Sequence, residues 1–440
     1  MIKVCKFGGT SMADANAMRQ VKKIIESDSS RRFVVVSAPG KRFKDDIKIT
    51  DMLYRCYNEV VEFGTCKKSF AVIRERFIEI VKDLGLTIDI QGVLDKTEQE
   101  IDQSKSPDFA ASRGEYLSAV VVSAFLGFEF VDAAEMIRFD SHGKLNVDYT
   151  DDKVSNRLSN VEKAVIPGFY GKNFQGEIKT FSRGGSDITG SIVARGVKAD
   201  LYENWTDVSG FLVCDPRIVP EAKVINQITY KEVRELSYMG ASVLHAEAIT
   251  PVMKKRIPIN IKNTFKPEDV GTMIVPNEQY KEGLNNGVIT GIAGKKNFTV
   301  LLIEKSMMNA EVGFIRKVLS VVEHYGICVE HLPSGIDTLS VILESEQLKD
   351  GVLNDLVGEI RENVNPDYVH VIENISLIAT VGHGMARRHG TAATLFSALA
   401  EEKINIQMID QGSSELNIII GVANSDYEKC IRTIYNAFVK

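Results

Sequence analysis

The sequence predicts a doubly wound α/β domain with a mainly parallel sheet, followed by two small α+β modules. Three observations predict it. Up to about residue 280, short apolar runs alternate with amphipathic helical patterns, the rhythm of an α/β layer fold. Phe33-Val34-Val35-Val36 is a continuous apolar run, which suits a parallel strand buried on both faces. From about residue 287 a pattern of helix, small turn, I-x-V or I-x-I and alternating strand occurs twice, about 75 residues apart.

The first strand, around Ile2 and Val4, runs into Lys6, Gly8-Gly9 and Thr10-Ser11, and Met18, Val21 and Ile25 then fall at helical spacing. Residues 51–105 show helical periodicity with many charges, which predicts a helical insertion. Strands are expected at 129–133, 164–169, 177–182, 200–206 and 257–262, with a Pro-terminated hairpin across 205–217. In the tail the first copy has a strand at 298–303, a helix at 313–325, Ile327-Cys328-Val329 and a strand at 338–343. The second has 375–381, 391–402, Ile404-Asn405-Ile406 and 416–422, consistent with βαββαβ modules.

At 440 residues the chain has length for two or three domains, and its 25% charged residues are ordinary for a globular protein. The net charge of −6 gives no support for nucleic-acid binding, and Arg387-Arg388-His389 is too short for a basic tract. Six scattered cysteines with no CxxC pair argue against structural zinc and a disulfide scaffold, and suit a reducing cytosol. No 18-residue apolar run and no signal segment is seen, so a cytoplasmic protein that does not enter a membrane is expected.

Two segments carry the chemistry. In Lys6-Phe7-Gly8-Gly9-Thr10-Ser11 the glycines let backbone N–H groups approach an anion, a helix follows, and Lys6 adds a full charge. The P-loop pattern, a dinucleotide GxGxxG after a strand and the protein-kinase HRD and DFG sets are all missing. Alone, this segment reads equally as a tight βα turn with a surface lysine. Arg183-Gly184-Gly185-Ser186-Asp187 is a second strand–Gly-Gly–helix junction. Arg183 is a planar fork suited to a carboxylate, and Asp187 either caps the helix or orients a lysine near a reacting phosphate. Two such loops in one domain suit phosphoryl transfer to an anionic substrate.

These segments, with Ser112-Arg113-Gly114-Glu115, Trp205-Thr206-Asp207-Val208-Ser209-Gly210, Asp215-Pro216-Arg217 and Met239-Gly240-Ala241-Ser242-Val243-Leu244-His245, occur in the order seen in aspartate kinases. Ile257-Pro258-Ile259, Asn263-Thr264 and Gly271-Thr272 follow in the same order, and the tail resembles that family's paired ACT modules. The resemblance implies an amino-acid-kinase fold and transfer of the ATP γ-phosphoryl group to the β-carboxylate of L-aspartate, the first step of lysine, threonine and methionine synthesis. By it, Lys6 is the phosphate-neutralising lysine and Asp187 holds it. Arg183 grips the substrate α-carboxylate and Glu115 its ammonium, while Ser37, Thr50 and Ser186 complete the pocket. Gly8, Gly9, Thr10, Ser11, Thr206, Asp207, Leu212 and Arg217 fall on nucleotide-side positions. Mg²⁺ is expected to arrive on the ATP phosphates rather than on a protein ligand cluster.

The family's Gly-Ala-Lys-Val-Leu-His-Pro is replaced here by Ser242 and His245-Ala246, so that lysine contact to the nucleotide phosphates is expected to be either lost or supplied from elsewhere, with Lys254 and Lys255 as the candidates. The loop Ala38–Lys44 is also longer and more basic than expected from the family. The implied domains are 1–285 for the kinase, 286–304 with 376–440 for one ACT module, and 305–375 for an inserted, effector-binding module. Effector candidates carried over are Met308, Val312, Gly313, Phe314, Cys328, Val329, Glu330 and Ser334, with lysine expected as inhibitor and threonine second. ACT pairing implies a homodimer or a dimer of dimers. The rivals are another amino-acid kinase, acting on glutamate or acetylglutamate, and a catalytically silent amino-acid sensor. Arg183 with Glu115 and the paired tail argue against the first, and the presence of Lys6 and Asp187 against the second.

Overall fold

A computed structural model describes residues 1–440 apart from Arg183, Ser242, His245, Glu282, Asn285, Asn286 and Arg387. The chain divides into two compact units: Met1–Phe211 with Val224–Val233 and Ser242–Leu284, and Leu212–Lys223 with Arg234–Ala241 and Asn285–Lys440.

In the first unit an eight-stranded sheet has the spatial order Glu129–Phe130, Ala164–Pro167, Arg31–Val36, Lys3–Phe7, Leu201–Thr206, Ile259–Asn263, Thr272–Val275, Gln227–Thr229. Every neighbouring pair is parallel except Ile259–Asn263 with Thr272–Val275. Phe33 to Val36 are at most 1% exposed, as a strand covered on both faces requires. The helical insertion is three helices, Ile49–Phe63, Lys67–Leu84 and Ile90–Ser104, leading into the buried helix Pro107–Leu126. Helix Ala15–Glu26 starts at Asp14, whose side chain accepts from the Ala17 N–H, and buries Met18, Val21 and Ile25 as their spacing predicts.

Some elements differ from expectation. The strands expected at 129–133 and 177–182 shrink to Glu129–Phe130 and Ile178–Thr180, and the latter joins a separate three-stranded sheet with Arg138–Phe139 and Tyr170–Asn173. The expected hairpin across 205–217 is not built. The strand ends at Thr206, and Asp215-Pro216-Arg217 is a turn closed by the Arg217 N–H donating to Asp215.

The second unit is built on a six-stranded antiparallel sheet ordered Val329–His331, Thr338–Glu344, Gly291–Glu304, Tyr368–Val381, Asn417–Ala423, Met408–Asp410. Its two long strands each serve two halves. Phe298–Glu304 pairs with Thr338–Glu344, whereas Ile375–Val381 pairs with Asn417–Ala423, and the register slips between Lys295 and Phe298. Helix Phe314–His324 packs in one half and helix Thr391–Glu401 belongs to the other.

The I-x-V and I-x-I triplets start no strand at their isoleucines. Gly326 (φ 67°) and Lys403 (φ 55°) take the left-handed conformation after the two helices. The next N–H groups, of Ile327 and Ile404, return to Val322 and Leu399. Both isoleucines therefore close helices in the same way, and the short strands begin later, at Val329 and Met408. Five of the six cysteines are buried and Cys328 is exposed. No helix among the described residues is long and apolar enough to cross a membrane.

Candidate active site

Parallel pairing brings the C-terminal ends of four strands to one edge: Phe7 lies beside Val36 and Trp205, and Thr206 beside Asn263. The loops after these ends hold Gly8–Ser11, Ser37 and Asp207. Open α/β sheets bind ligands at this edge.

Lys6 and Asn204 are register partners on adjacent strands, so both side chains leave the same face of the sheet. There they converge on Asp187, in the first turn of helix Gly185–Gly196. Lys6 Nζ lies 2.6 Å from Asp187 Oδ1, and Asn204 Nδ2 donates to the same oxygen at 2.8 Å. Gly184, at φ 59°, turns the chain into that helix through a conformation that favours glycine. Ser186 is buried beside it. The pair is the one in which Asp187 orients a lysine; helix capping does not describe it, because Asp187 already stands inside the helix.

The glycine loop is locked to the loop after the second strand. The Gly40 N–H donates to the Gly9 carbonyl at 2.8 Å, and a Cβ on Gly40 would meet Gly9 C at 2.7 Å. Only glycine permits that approach. The Ser37 N–H donates to Phe7 O, and the Ile49 N–H to Pro39 O, which places Thr50 in the first turn of its helix. Ser11 is fully buried with its hydroxyl 2.8 Å from that of Thr264, whereas Thr10 is half-buried.

Glu115 projects from helix Pro107–Leu126 into the same interior. It is 5% exposed and its Oε2 has no partner. Burial pushes its carboxyl up to about 8, against the lowering pull of backbone N–H groups at Ala38 and Glu115 and of the Lys6 and Arg113 charges. Arg113 is enclosed by the rings of Phe109, Tyr116 and Tyr170, at 4.5, 4.7 and 5.3 Å from their centroids. A buried acid with an unpartnered oxygen and an upward-shifted carboxyl is the kind of group that clusters at functional sites.

Other expected residues are less concentrated. Arg183 and Ser242 lie outside the described residues. Thr206 donates to an exposed Asp207 at 3.2 Å. Leu212 and Arg217 belong to the second unit, where Arg217 is engaged by Asp215 at 2.6 Å. Sequence reasoning missed Asn204, whose signal was a polar residue within the buried strand Tyr202–Trp205, and Gly40.

The effector candidates lie in the second unit. Met308 and Phe314 pack in its apolar core, Val312 is 96% exposed, and Gly313 (φ 80°) caps helix Phe314–His324. Val329 and Glu330 are on the edge strand, with Cys328 just before it and Ser334 bridging to Leu339 beyond it. Burial and a hydrogen bond to Glu330 raise the Tyr238 phenol.

Comparison with known proteins supplies the frame. The model of the amino acid kinase family matches residues 1–263, and an ACT domain model matches 378–438. Aspartokinase 3 of Bacillus subtilis is 36% identical over 99% of this chain and 98% of its own. The crystal structure of Clostridium acetobutylicum aspartate kinase is 52% identical, with 99% of each chain covered and a TM-score of 0.89. Escherichia coli aspartokinase III with aspartate and ADP is 25% identical with a TM-score of 0.77 and 99% of both chains covered. With lysine and aspartate it is 26% identical with a TM-score of 0.75 and 100% of both covered.

Proposed function

The chain belongs to the amino acid kinase family, among the ATP-dependent aspartate kinases, and we propose that it makes an acyl phosphate at the β-carboxylate of L-aspartate. A carboxylate oxygen bonds to the γ-phosphorus while the bond to the ADP oxygen breaks, and ADP keeps that electron pair. The nucleophile is already ionised at neutral pH, so no general base is required. The task is to hold two anions in line and compensate their charge.

One observation carries the assignment: Lys6, held at 2.6 Å by Asp187 beside the Gly8–Gly9 loop, is a fixed cation at the strand ends. Asp187, itself held by Asn204, keeps it from swinging into solvent; in the loop the Gly8 and Ser11 N–H groups bond to Trp205 O and Gly8 O, so those of Gly9 and Thr10 are the proposed further donors. Glu115 takes the aspartate ammonium, with Arg183, Ser37, Thr50 and Ser186 around the rest of the molecule. Thr10, Thr206 and Asp207 serve the nucleotide. Mg²⁺ is proposed to arrive on the ATP phosphates, as that ion usually keeps few protein ligands, with Lys6, fixed 2.6 Å from Asp187, sharing the charge compensation. When bound, the ion neutralises charge on the transferring phosphoryl group.

The second unit is read as two ACT-type modules sharing the long strands Gly291–Glu304 and Tyr368–Val381, with 305–375 forming the effector-binding module. Lysine is the proposed inhibitor, its ammonium meeting Glu330; the lysine complex of the E. coli enzyme supports this. A homodimer is proposed through the same unit. In support, residues 368–374 pair on one side only among the described strands and expose Tyr368, Val371 and Ile372.

The test is hydroxylamine trapping of acyl phosphate from L-aspartate, ATP and Mg²⁺, with and without lysine. Hydroxamate that falls away with lysine supports both readings. Hydroxamate indifferent to lysine keeps the kinase and removes lysine as effector. Product from glutamate but not aspartate overturns the substrate assignment.

A further inference from the structure

The lock between the glycine loop and the loop of residues 38–48 is itself held by a side chain from the helical insertion. Arg76 lies in helix Lys67–Leu84 and is only 4% exposed. Its guanidinium donates to Ala13 O at 3.0 Å, to Ile47 O at 3.3 Å and to Gly40 O, and lies 3.5 Å from the Asp46 carboxylate. Each acceptor has a place in the site. Ala13 ends the turn that begins at Gly9. Gly40 donates to Gly9 O. Ile47 leads into the helix that carries Thr50. One planar fork therefore gathers the two loops on which the phosphates and aspartate are proposed to rest. Lysine has no such fork.

The arrangement is costly in itself. A buried cation whose Nε has no partner is held among backbone carbonyls rather than in a matched ion pair. Asp46 is taken chiefly by Arg42, at 2.9 Å. We propose that Arg76 is a positioning residue for phosphoryl transfer, setting the separation of the nucleotide loop and the aspartate loop from outside the site. This rests on the reading of the site given above.

Cavities of about 200 and 270 Å³ flank Arg76. A guanidinium ion can therefore reach the space that Arg76→Ala would leave, which gives a direct test on the full-chain enzyme. Arg76→Ala is expected to lose on the order of tenfold to a hundredfold in kcat/KM for aspartate. Guanidinium chloride at millimolar concentration restores part of it, and ammonium chloride at equal ionic strength does not. Phe77→Leu, in the same helix and fully buried, serves as a stability control: with a similar loss in Tm it keeps wild-type KM. The proposal is overturned if Arg76→Ala keeps wild-type kinetic constants, if guanidinium restores nothing, or if Phe77→Leu raises KM as much. Should Arg76→Ala not fold, Arg76→Lys decides: a raised KM at near wild-type Tm supports the proposal and an unchanged KM overturns it. Amide exchange reads the same question without turnover. Faster exchange confined to residues 8–13 and 38–48 in the variant supports Arg76's role, even if the wild-type enzyme rejects aspartate and the site reading falls.

Discussion

At Glu115 the cost of burial becomes a pH dependence. Its carboxyl, lifted to about 8 by burial, holds its proton through neutrality, and a substrate ammonium favours the ionised form. Aspartate binding then releases a proton. Below pH 8 the KM for aspartate should therefore rise as pH falls, by up to about tenfold per pH unit, and level off above it. Glu115→Gln should bind aspartate weakly and flatten that profile; a steady-state series from pH 6 to 9 measures both. The sign for stability runs the other way. The folded chain keeps a proton that the unfolded chain gives up, so this group's contribution falls as pH rises from the ordinary glutamate range to about 8. Lys6 gives a sharper prediction. Lys6→Met removes the fixed cation while Asp187 retains Asn204, so kcat should drop on the order of a hundredfold to a thousandfold. Thermal unfolding checks that the fold is retained, and hydroxamate formation at wild-type rate would refute the role.

Gly40 shows how a loop becomes part of the site. A Cβ there meets the backbone of Gly9 and Thr10 at 2.7–2.9 Å, atoms that cannot rotate away. Gly40→Ala should cost about 1–3 kcal/mol in stability and lower kcat/KM for both substrates, read by denaturant unfolding and initial rates. The Lys6 and Asp187 segments were legible in the sequence because each combines a strand, a Gly-Gly and a helix start within a few residues. The contacts that give them shape were not. Asn204 meets Asp187 across 17 residues and Arg76 reaches Ala13 across 63, distances at which no local pattern survives. Glu203 is a further case. It lies in the strand Leu201–Thr206, bonded to Trp205 two residues on and to Arg31 and Cys5, which reach it across 172 and 198 residues from other parallel strands of the sheet. The repeated tail was legible in outline, since helix and strand periods recur, but Ile327 and Ile404 read as strand residues when their N–H groups close helices. An isoleucine one residue past a left-handed turn looks the same in sequence as the start of a strand.

Across the whole chain, the proposed aspartate residues and the proposed lysine residues belong to different compact units. Inhibition that is not competition for one pocket must then be a coupling between two binding equilibria, and such coupling is reciprocal. If lysine raises the dissociation constant of aspartate by some factor, aspartate must raise that of lysine by the same factor. Titration calorimetry of each ligand, with and without saturating amounts of the other, measures both. Equal factors of roughly 5–150 are expected, the usual range for such coupling. Glu330→Gln is the variant that separates the sites. It keeps the shape of the side chain and removes the charge that the lysine ammonium would meet. Half-inhibition should require at least about tenfold more lysine, since a charge-assisted hydrogen bond contributes about 1.5–3 kcal/mol. The kcat and KM for aspartate without lysine should stay at wild-type values, because Glu330 lies in the second unit and Lys6, Glu115 and Asp187 in the first. An aspartate KM that moves in step with lysine sensitivity would place Glu330 in the catalytic equilibrium itself. Unchanged lysine sensitivity would remove Glu330 from the effector site.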